Sequence, residues 1–311
     1  MLIRIISQRC IHVTFLACLS IAIGSAAECE TDDRAEQVAK SEIESKQPKP
    51  EPIIRDVVYG HKHGLAMTMD VYNPKKQNGA AVLFMVSGGW VSKWAPPERA
   101  MPIFGRYLNA GYTVFAVRHG SSPRYTIPEA VSDVKKAVRF VRKNEKRFKI
   151  DESKIGVMGM SAGGHLSLML GTTGDQSEIR GDVAAEKVSS RVAAVVAFVP
   201  PTDLRVAVWD APESLPAYRS FPALNLDLKK AEQHSPLVHV TADDAPSLVI
   251  MGGADKLVPP KHGEWIRDAF VEKKVKHKLI IYPESDHSLS GNHANAFRES
   301  VEWFDTHLLG E

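Results

Sequence analysis

A serine between glycines, in the stretch GMSAGG at residues 159–164, is the position in this sequence best suited to nucleophilic chemistry. It follows an apolar run, KIGVM, that predicts a buried strand, and apolar residues at helical spacing come after it. In this setting the pattern G-x-S-x-G forms a sharp strand-to-helix turn that lifts the serine above the edge of a sheet. The sequence therefore predicts Ser161 as the nucleophile of a hydrolase. The competing interpretation is a glycine-rich turn with an incidental serine.

A serine hydroxyl needs a base that accepts its proton and a carboxylate that orients the base. Asp255 follows the apolar run SLVIM through GGA, and His287 lies five residues after the run KLIIY. The order serine, aspartate, histidine is the one that hydrolases with this turn require. The alternatives are Asp203, otherwise a loop residue, as the carboxylate and His293 as the base. Asp286 either raises the basicity of the histidine or faces water.

Backbone N–H groups must stabilise the negatively charged oxygen that forms when a nucleophile attacks an ester. We predict such donors at Ala162, directly after the serine, and at Gly88 and Gly89 in the loop VSGGW. Trp90 and Trp94 border this loop.

The elements that must hold these residues alternate along the chain between strand-like and helix-like patterns. Two segments have alternating faces, and later apolar runs are typical of strands that are covered on both sides. This alternation predicts a three-layer α/β fold, with a mostly parallel central sheet and helices on both faces. The expected strands are 53–59, 65–72, 80–86, 112–117, 154–158, 192–199, 246–251 and 278–282. The expected helices are 99–109, one that begins at Pro128 and carries Val131 to Val141 on one face, one that follows GMSAGG and contains Leu166, Met169 and Leu170, 264–273 and 295–309.

Together these motifs resemble the α/β-hydrolase superfamily, most closely its carboxylesterase branch, which includes hormone-sensitive-lipase-like and bacterial feruloyl or acetyl esterase-like proteins. The resemblance covers about residues 53–309 and rests on LAMTMDVYNP, VSGGWVSKW, IPEAVSDVKKAVRFVRKN, GMSAGG, GGADKLVP and SDHS. It implies an α/β-hydrolase catalytic domain over 53–311, without metal or organic cofactor. The implied activity is hydrolysis of short acyl or aromatic esters, including carbohydrate esters, through an acyl-enzyme.

One departure from the resemblance lies in the loop before the two tryptophans. Val86 and Ser87 stand where such esterases often have a histidine and a glycine, so the hydrogen bonds that usually support this loop are in question. The resemblance also implies that Trp90 and Trp94 contact the substrate and that residues 205–233 form a small lid, with Trp209, Tyr218 and Phe221 among several prolines. A role in packing is the alternative for all of these aromatic residues.

Two other functions fit the same residues. A serine peptidase of the prolyl-oligopeptidase type shares this catalytic domain, although its usual propeller would need more residues than precede the domain here. A catalytically inactive binding protein on the same fold is the second alternative. The pair His61 and His63 has no acidic or cysteine companions nearby in the sequence, so no metal site is predicted.

The first 27 residues predict a secretory signal peptide, cleaved after Ala27. They contain two arginines, an apolar run over residues 10–24 and small residues before the cleavage position. The run is shorter than the roughly 20 residues of a spanning helix, so no permanent membrane span is expected. A lipoprotein form attached through Cys18 is the alternative. Residues 28–52 are charged and contain proline, which predicts a flexible linker and a secreted or periplasmic protein.

The charge balance gives no support for a nucleic-acid partner. The 39 basic residues include Arg4 and Arg9 of the predicted signal peptide, and without these two the chain has 37 basic and 37 acidic residues. A basic surface is the electrostatic requirement for binding nucleic acid, and this composition does not supply it. The partner that the resemblance implies is a small-molecule or carbohydrate ester, and the sequence leaves the oligomeric state open.

Overall fold

The structure is a computed structural model that describes residues 53–175, 188–208 and 221–311. The predicted signal peptide at 1–27 and linker at 28–52 lie outside these residues, as do Trp209 and Tyr218 of the predicted lid. Among the described residues, no helix combines the length and the apolar content that a membrane span requires.

The described residues form one eight-stranded sheet. Its strands are β1 (Ile53–Lys62), β2 (Leu65–Tyr72), β3 (Ala81–Val86), β4 (Thr113–Arg118), β5 (Ile155–Met160), β6 (Ala194–Phe198), β7 (Ser247–Gly252) and β8 (His277–Tyr282). Their order across the sheet is β1-β2-β4-β3-β5-β6-β7-β8. The pairs β1/β2 and β2/β4 are antiparallel, and all the others are parallel. Every residue of β6 and β7 is buried, as expected for parallel strands with both faces covered.

Helices cover both faces of the sheet. They are α1 (Met101–Asn109), α2 (Ile127–Lys143), α3 (Glu145–Phe148), α4 (Ala162–Thr173), α5 (Leu228–Gln233), α6 (Lys261–Lys273) and α7 (His293–Phe304), which continues as a π-helical turn at Asp305–Leu309. One apolar core contains residues of α2, α4 and α6, and the other contains residues of α1 and α7. The predicted three-layer α/β fold is therefore confirmed.

Helix α2 shows how the sequence specifies these layers. Thr126 and Glu129 form a capping box at its start, and Pro128 occupies the first turn, where its missing N–H costs no hydrogen bond. Val134 and Val138 are fully buried, so the predicted apolar stripe faces the sheet. Capping and patterning thus agree on where the helix begins and which side it buries.

The predicted elements differ from the observed ones mainly at their ends. Strand β1 continues three residues beyond the expected end at residue 59, because it forms a hairpin with β2 through His63 and Gly64, which have φ values of 47° and 78°. The expected helix at 99–109 begins at Met101, after a 3₁₀ turn at Pro97–Ala100. These shifts do not change which strand ends meet at the carboxyl edge of the sheet.

Candidate active site

Ser161 lies in a strained turn between β5 and α4, with φ of 55° and ψ of −120°. A Cβ atom on Gly159 would lie 2.4 Å from the carbonyl carbon of Gly163, and one on Gly163 would lie 2.6 Å from the carbonyl oxygen of Met85. Both distances are far below normal carbon contacts, so these positions admit only glycine. The turn has the geometry of the nucleophile elbow that the sequence pattern predicts.

The structure brings the three predicted triad residues into one hydrogen-bonded chain. His287 Nε2 lies 2.9 Å from Ser161 Oγ, and His287 Nδ1 lies 2.7 Å from Asp255 Oδ2. Because Nδ1 faces a carboxylate, it carries the ring proton, and Nε2 faces the serine with its lone pair. This arrangement can remove a proton from Ser161.

The carboxylate of Asp255 is held on both sides. Its Oδ1 atom accepts hydrogen bonds of 2.8 Å from the backbone N–H groups of Leu257 and Val258. The side chain is completely buried, whereas that of His287 is 23% exposed. Gly252 allows the aspartate and histidine loops to touch, because a Cβ atom there would lie 2.4 Å from the carbonyl oxygen of Asp286.

The alternative residues occupy other roles in the structure. Asp203 accepts hydrogen bonds of 2.9 and 2.8 Å from the Arg205 guanidinium. Burial raises the pKa of Asp203, but these bonds outweigh it and bring the pKa below its ordinary value. Asp286 is exposed and accepts hydrogen bonds from the backbone and hydroxyl of Ser290, so it fixes its own loop. His293 is an exposed residue at the start of α7.

The loop after β3 forms a tight turn that changes the predicted set of oxyanion donors. The backbone N–H of Gly88 donates to the carbonyl of Val91, and the N–H of Val91 donates back, both at 3.0 Å. Gly89 and Trp90 have φ values of 57° and 58°, as in a type I′ turn. The prediction that Gly88 is an oxyanion donor is therefore wrong, because its N–H already donates to Val91 within the turn.

Two of the predicted donors remain available. The N–H groups of Gly89 and Ala162 have no hydrogen-bond acceptor among the described residues. Ala162 is the first residue of α4, where no preceding carbonyl is in position for its N–H. The positive end of the helix dipole adds to this donor, which favours a negative oxygen beside Ser161.

Comparison with known proteins gives the family. Residues 69–270, about two thirds of the chain, match the family BD-FAE. The chain belongs to the BD-FAE family. Within the α/β-hydrolase superfamily this confirms the resemblance to the carboxylesterase branch.

The chain is also similar to individual ester hydrolases. It is 28% identical over 237 residues to the probable carboxylic ester hydrolase LipM of Mycobacterium tuberculosis, an alignment that covers 74% of this chain and 54% of LipM. The chain thus spans about half the length of such relatives. It is 25% identical to the rat acylamino-acid-releasing enzyme, covering 83% of this chain and 36% of that enzyme. A truncated carbohydrate esterase from gut microbiota has a similar structure, with a TM-score of 0.73 and 26% identity. The match covers 84% of this chain and 99% of that esterase.

The two predicted substrate-binding tryptophans of this BD-FAE chain have different surroundings. Trp90 is only 4% exposed, and its Nε1 donates a 3.2 Å hydrogen bond to His165 Nδ1. His165 Nε2 in turn donates to the carbonyl of His234 at 2.7 Å, and burial lowers the pKa of His165 to about 3. The prediction that Trp90 contacts the substrate is thus wrong: Trp90 is a packing residue that connects the loop to α4. Trp94 is 61% exposed, so contact with a substrate stays a prediction.

A second hydrogen bond supports the loop where the usual histidine is missing. The Ser87 hydroxyl lies 2.8 Å from Nε2 of the buried His119, and Nδ1 of that ring lies 2.8 Å from the carbonyl of Gly120. Nδ1 must donate to this carbonyl, so Nε2 accepts a hydrogen bond from the Ser87 hydroxyl. Burial lowers the pKa of His119, which favours this neutral form.

The sequence reasoning missed His119, although the strand pattern contains a signal for it. Strands β3 and β4 are parallel neighbours, and Val86 pairs with Arg118. The residues that follow these two, Ser87 and His119, therefore lie side by side at the edge of the sheet. The signal depends on the pairing of β3 with β4, which the pattern of apolar runs does not specify.

The described part of the predicted lid touches the oxyanion loop. The Phe221 ring packs over Gly89, where a Cβ atom would lie 2.8 Å from Cδ1 of the ring. His61 and His63 are exposed on the β1–β2 hairpin, and among the described residues no third metal-ligating side chain joins them.

Proposed function

We propose that this chain is a serine carboxylic ester hydrolase that works through an acyl-enzyme. The observation that carries the proposal is the hydrogen-bonded chain from Asp255 through His287 to Ser161. The free N–H groups of Gly89 and Ala162 lie on the two elements that flank the serine hydroxyl, and membership in the BD-FAE family supports the same chemistry.

Each step has a residue that can perform it. Ser161 Oγ attacks the ester carbonyl carbon while His287 Nε2 takes its proton, and the oxyanion accepts hydrogen bonds from Gly89 and Ala162. The alcohol then leaves with the proton from His287, which gives the acyl-enzyme. A water molecule attacks the acyl carbon while His287 takes one of its protons. His287 then gives this proton to Ser161 Oγ as the bond between Oγ and the acyl carbon breaks, which releases the acid and restores the hydroxyl. Asp255 stabilises the His287 ring each time that the ring is protonated.

A fluorophosphonate probe tests this proposal directly. Labelling of the folded protein at Ser161 is expected, together with hydrolysis of nitrophenyl acetate. The Ser161→Ala variant should give neither signal. A folded wild-type protein that is not labelled would favour the inactive binding protein instead.

The substrate is proposed to be a short acyl or aromatic ester, including esters on carbohydrate. The similarity to a carbohydrate esterase from gut microbiota supports the carbohydrate part of this proposal. A panel of nitrophenyl esters of increasing acyl length and of acetylated sugars tests it. A preference for long acyl chains would contradict it.

A serine peptidase is the second candidate, because 83% of the chain aligns with an acylamino-acid-releasing enzyme. The two functions differ in the leaving group: a peptidase must protonate an amine, whereas an esterase releases an alcohol. Hydrolysis of nitrophenyl acetate without hydrolysis of a proline nitroanilide favours the esterase, and the reverse result favours the peptidase.

Export of the protein is proposed from the sequence of residues 1–27. Secretion or a periplasmic location predicts that the mature protein begins at Glu28. N-terminal sequencing of protein from the native host tests this, and a lipid-modified Cys18 at the N-terminus would favour the lipoprotein alternative.

The segment 205–233 is proposed to act as a small lid beside the acyl group. The contact between Phe221 and Gly89 supports this, because it sets the ring against one of the oxyanion donors. Phe221→Ala should raise the ratio of kcat/KM for nitrophenyl butyrate to that for nitrophenyl acetate, since space is gained there. An unchanged ratio would contradict the lid.

A further inference from the structure

A cleft of about 490 Å³ opens beside the oxyanion loop, and no triad residue lines it. Its walls come from the start of β2, the residues that follow the oxyanion loop, and the segment after β4. The lining residues are Leu65–Thr68, Ser92, Trp94 and Arg118–Tyr125.

The strand order fixes how far this cleft is from the nucleophile. Ser161 follows β5, and β4 lies two strands away from β5 with β2 next to it. Because neighbouring strands are about 4.8 Å apart, β4 and β2 lie about 10 and 14 Å from β5. The cleft is thus on the same edge of the sheet as Ser161, beyond a short acyl group but within reach of further rings of an oligosaccharide.

The cleft has an apolar side and a hydroxyl-bearing side. Trp94 and Leu65 are 61% and 46% exposed, which makes them two of the few large apolar side chains on the described surface. Ser92 and Ser122 line the same cleft on another side. A pyranose ring has an apolar C–H face and a polar edge, so this lining fits a sugar better than a purely aromatic group.

Three hydroxyl groups in the lining point to a ligand independently of its shape. The side-chain oxygens of Ser92, Ser122 and Tyr125 are buried and have no hydrogen-bond partner in the described part of the chain. Ser122 and Tyr125 are only 8% and 6% exposed. A buried hydroxyl without a partner is unfavourable, and a change of serine rotamer can turn its oxygen towards a ligand hydroxyl.

The charges in the cleft favour a neutral ligand. The Arg118 guanidinium donates to both carboxylate oxygens of Asp70 at 2.5 and 3.0 Å, and it also contacts Asp56 and Thr68. Its charge is therefore already matched, and four of its five N–H donors have acceptors. Arg124 lies at the exposed rim with its guanidinium 5.6 Å from the centre of the Tyr125 ring.

We propose that this cleft is a binding subsite for a neutral sugar ring of the substrate, separated along the carbohydrate chain from the ring that carries the ester. The inference rests on the proposed esterase function. Trp94 stacks against the C–H face of the ring, and the hydroxyls of Ser92 and Ser122 bind its polar edge. Such remote contacts increase kcat/KM for oligosaccharide esters, whereas a small ester gains nothing from them.

A kinetic comparison tests the subsite on the whole protein. The Trp94→Ala variant is assayed on acetylated xylotetraose and on nitrophenyl acetate. The ratio of kcat/KM for the first to that for the second should fall about tenfold, the effect of losing one aromatic contact. Val271→Ala is the matched control, because Val271 is 59% exposed on α6 and lies outside the cleft. Its ratio should equal that of the wild type, and an equal ratio in Trp94→Ala would overturn the proposal.

A binding measurement separates this proposal from the proposed enzyme activity. Xylotetraose is titrated calorimetrically into the Ser161→Ala variant, with and without Trp94→Ala or Ser122→Ala. Trp94→Ala and Ser122→Ala, each added to Ser161→Ala, should weaken binding several-fold. Ser122→Ala should not lower Tm, since the Ser122 hydroxyl has no hydrogen-bond partner to lose. Binding of methyl ferulate but not xylotetraose, or no effect of either substitution, would overturn the sugar subsite. Failure of the esterase proposal would instead appear as absent labelling of the wild type.

Discussion

Two buried carboxylates lie near the carboxyl edge of the sheet, and their contacts predict different effects of substitution: loss of activity at one and loss of stability at the other. Asp255 faces His287, whereas Asp203 faces Arg205. Asp255→Asn should lower kcat for nitrophenyl acetate about 10³- to 10⁴-fold, because an amide no longer holds the required tautomer.

The matched variant Asp203→Asn should keep a kcat near that of the wild type and lower Tm. It weakens a charge-assisted pair that fixes the segment after β6, and it leaves the contacts of His287 unchanged. Steady-state kinetics and thermal unfolding of both variants check this. Equal losses of kcat in the two variants would contradict the assignment of Asp255.

The hydrogen bond between Ser87 and His119 predicts a positioning role for this pair. Ser87→Ala removes the bond and leaves a buried ring nitrogen without a donor, so the turn that carries Gly89 loses a support. We expect kcat for nitrophenyl acetate to fall about tenfold with little change in KM, because loss of a whole oxyanion donor costs about a hundredfold or more.

The conservative variant Ser87→Thr keeps the hydroxyl and should restore most of kcat. This rescue distinguishes positioning by the hydrogen bond from a general loss of stability. If Ser87→Ala retains full kcat, or if threonine does not rescue it, His119 does not support the oxyanion loop through Ser87.

The sequence alone predicts the roles of site residues that follow strands, but it does not predict the roles of residues whose contacts depend on the geometry of a turn. Ser161, Asp255 and His287 each follow an apolar run, so the topology alone predicts that they meet at one edge. The loop motif and the family resemblance imply Gly88 as an oxyanion donor and Trp90 as a substrate contact, but the two-residue turn directs the Gly88 N–H to Val91 and the indole into the core. Such details depend on φ and ψ within the loop, which glycine leaves open.

The tight turn between β5 and α4 predicts that the stability of the fold depends strongly on Gly159. A Cβ atom at this position would overlap the backbone of Gly163, which cannot move without displacing α4 from β3. Gly159→Ala should therefore lower the free energy of unfolding by about 3 kcal/mol, the upper end of the usual cost of overpacking.

Gly88→Ala provides the matched comparison for this substitution. A Cβ atom on Gly88 would meet nothing within 4 Å, so the variant should unfold with nearly the same free energy as the wild type. Urea denaturation of both variants checks the difference. Similar stabilities for the two would show that the turn adapts and that its tightness is not a constraint.

The strands were predictable as elements because a strand that is buried on both faces must be almost entirely apolar. β6 and β7 show this in full. The order of the strands was less accessible, because the chain places β4 between β2 and β3. That order decides which loops touch, and it brings Ser87 beside His119 and opens the cleft beside Trp94.

Three buried histidines make the stability of the fold depend on pH. Burial is the main cause that lowers the pKa of each, to about 3 for His165 and about 4 for His262, with His119 shifted in the same direction. A histidine in an unfolded chain has a pKa near 6.5. Below about pH 6.5 the unfolded protein therefore binds protons that the folded protein does not, and the free energy of unfolding falls as the pH falls towards the folded values.

The substitution His165→Gln tests this dependence on one group. Glutamine does not titrate, so the slope of the unfolding free energy between pH 6 and pH 5 should decrease by about 1.4 kcal/mol per pH unit, the effect of one proton. This window lies above the ordinary pKa values of carboxyl groups, which limits their contribution. Between pH 7.5 and 8.5 the imidazole is neutral in both states, so the curves of the two proteins should run parallel there. An unchanged slope between pH 6 and pH 5 would mean that His165 takes up its proton in the folded protein, which the bond from Trp90 to its Nδ1 forbids as long as that bond is intact.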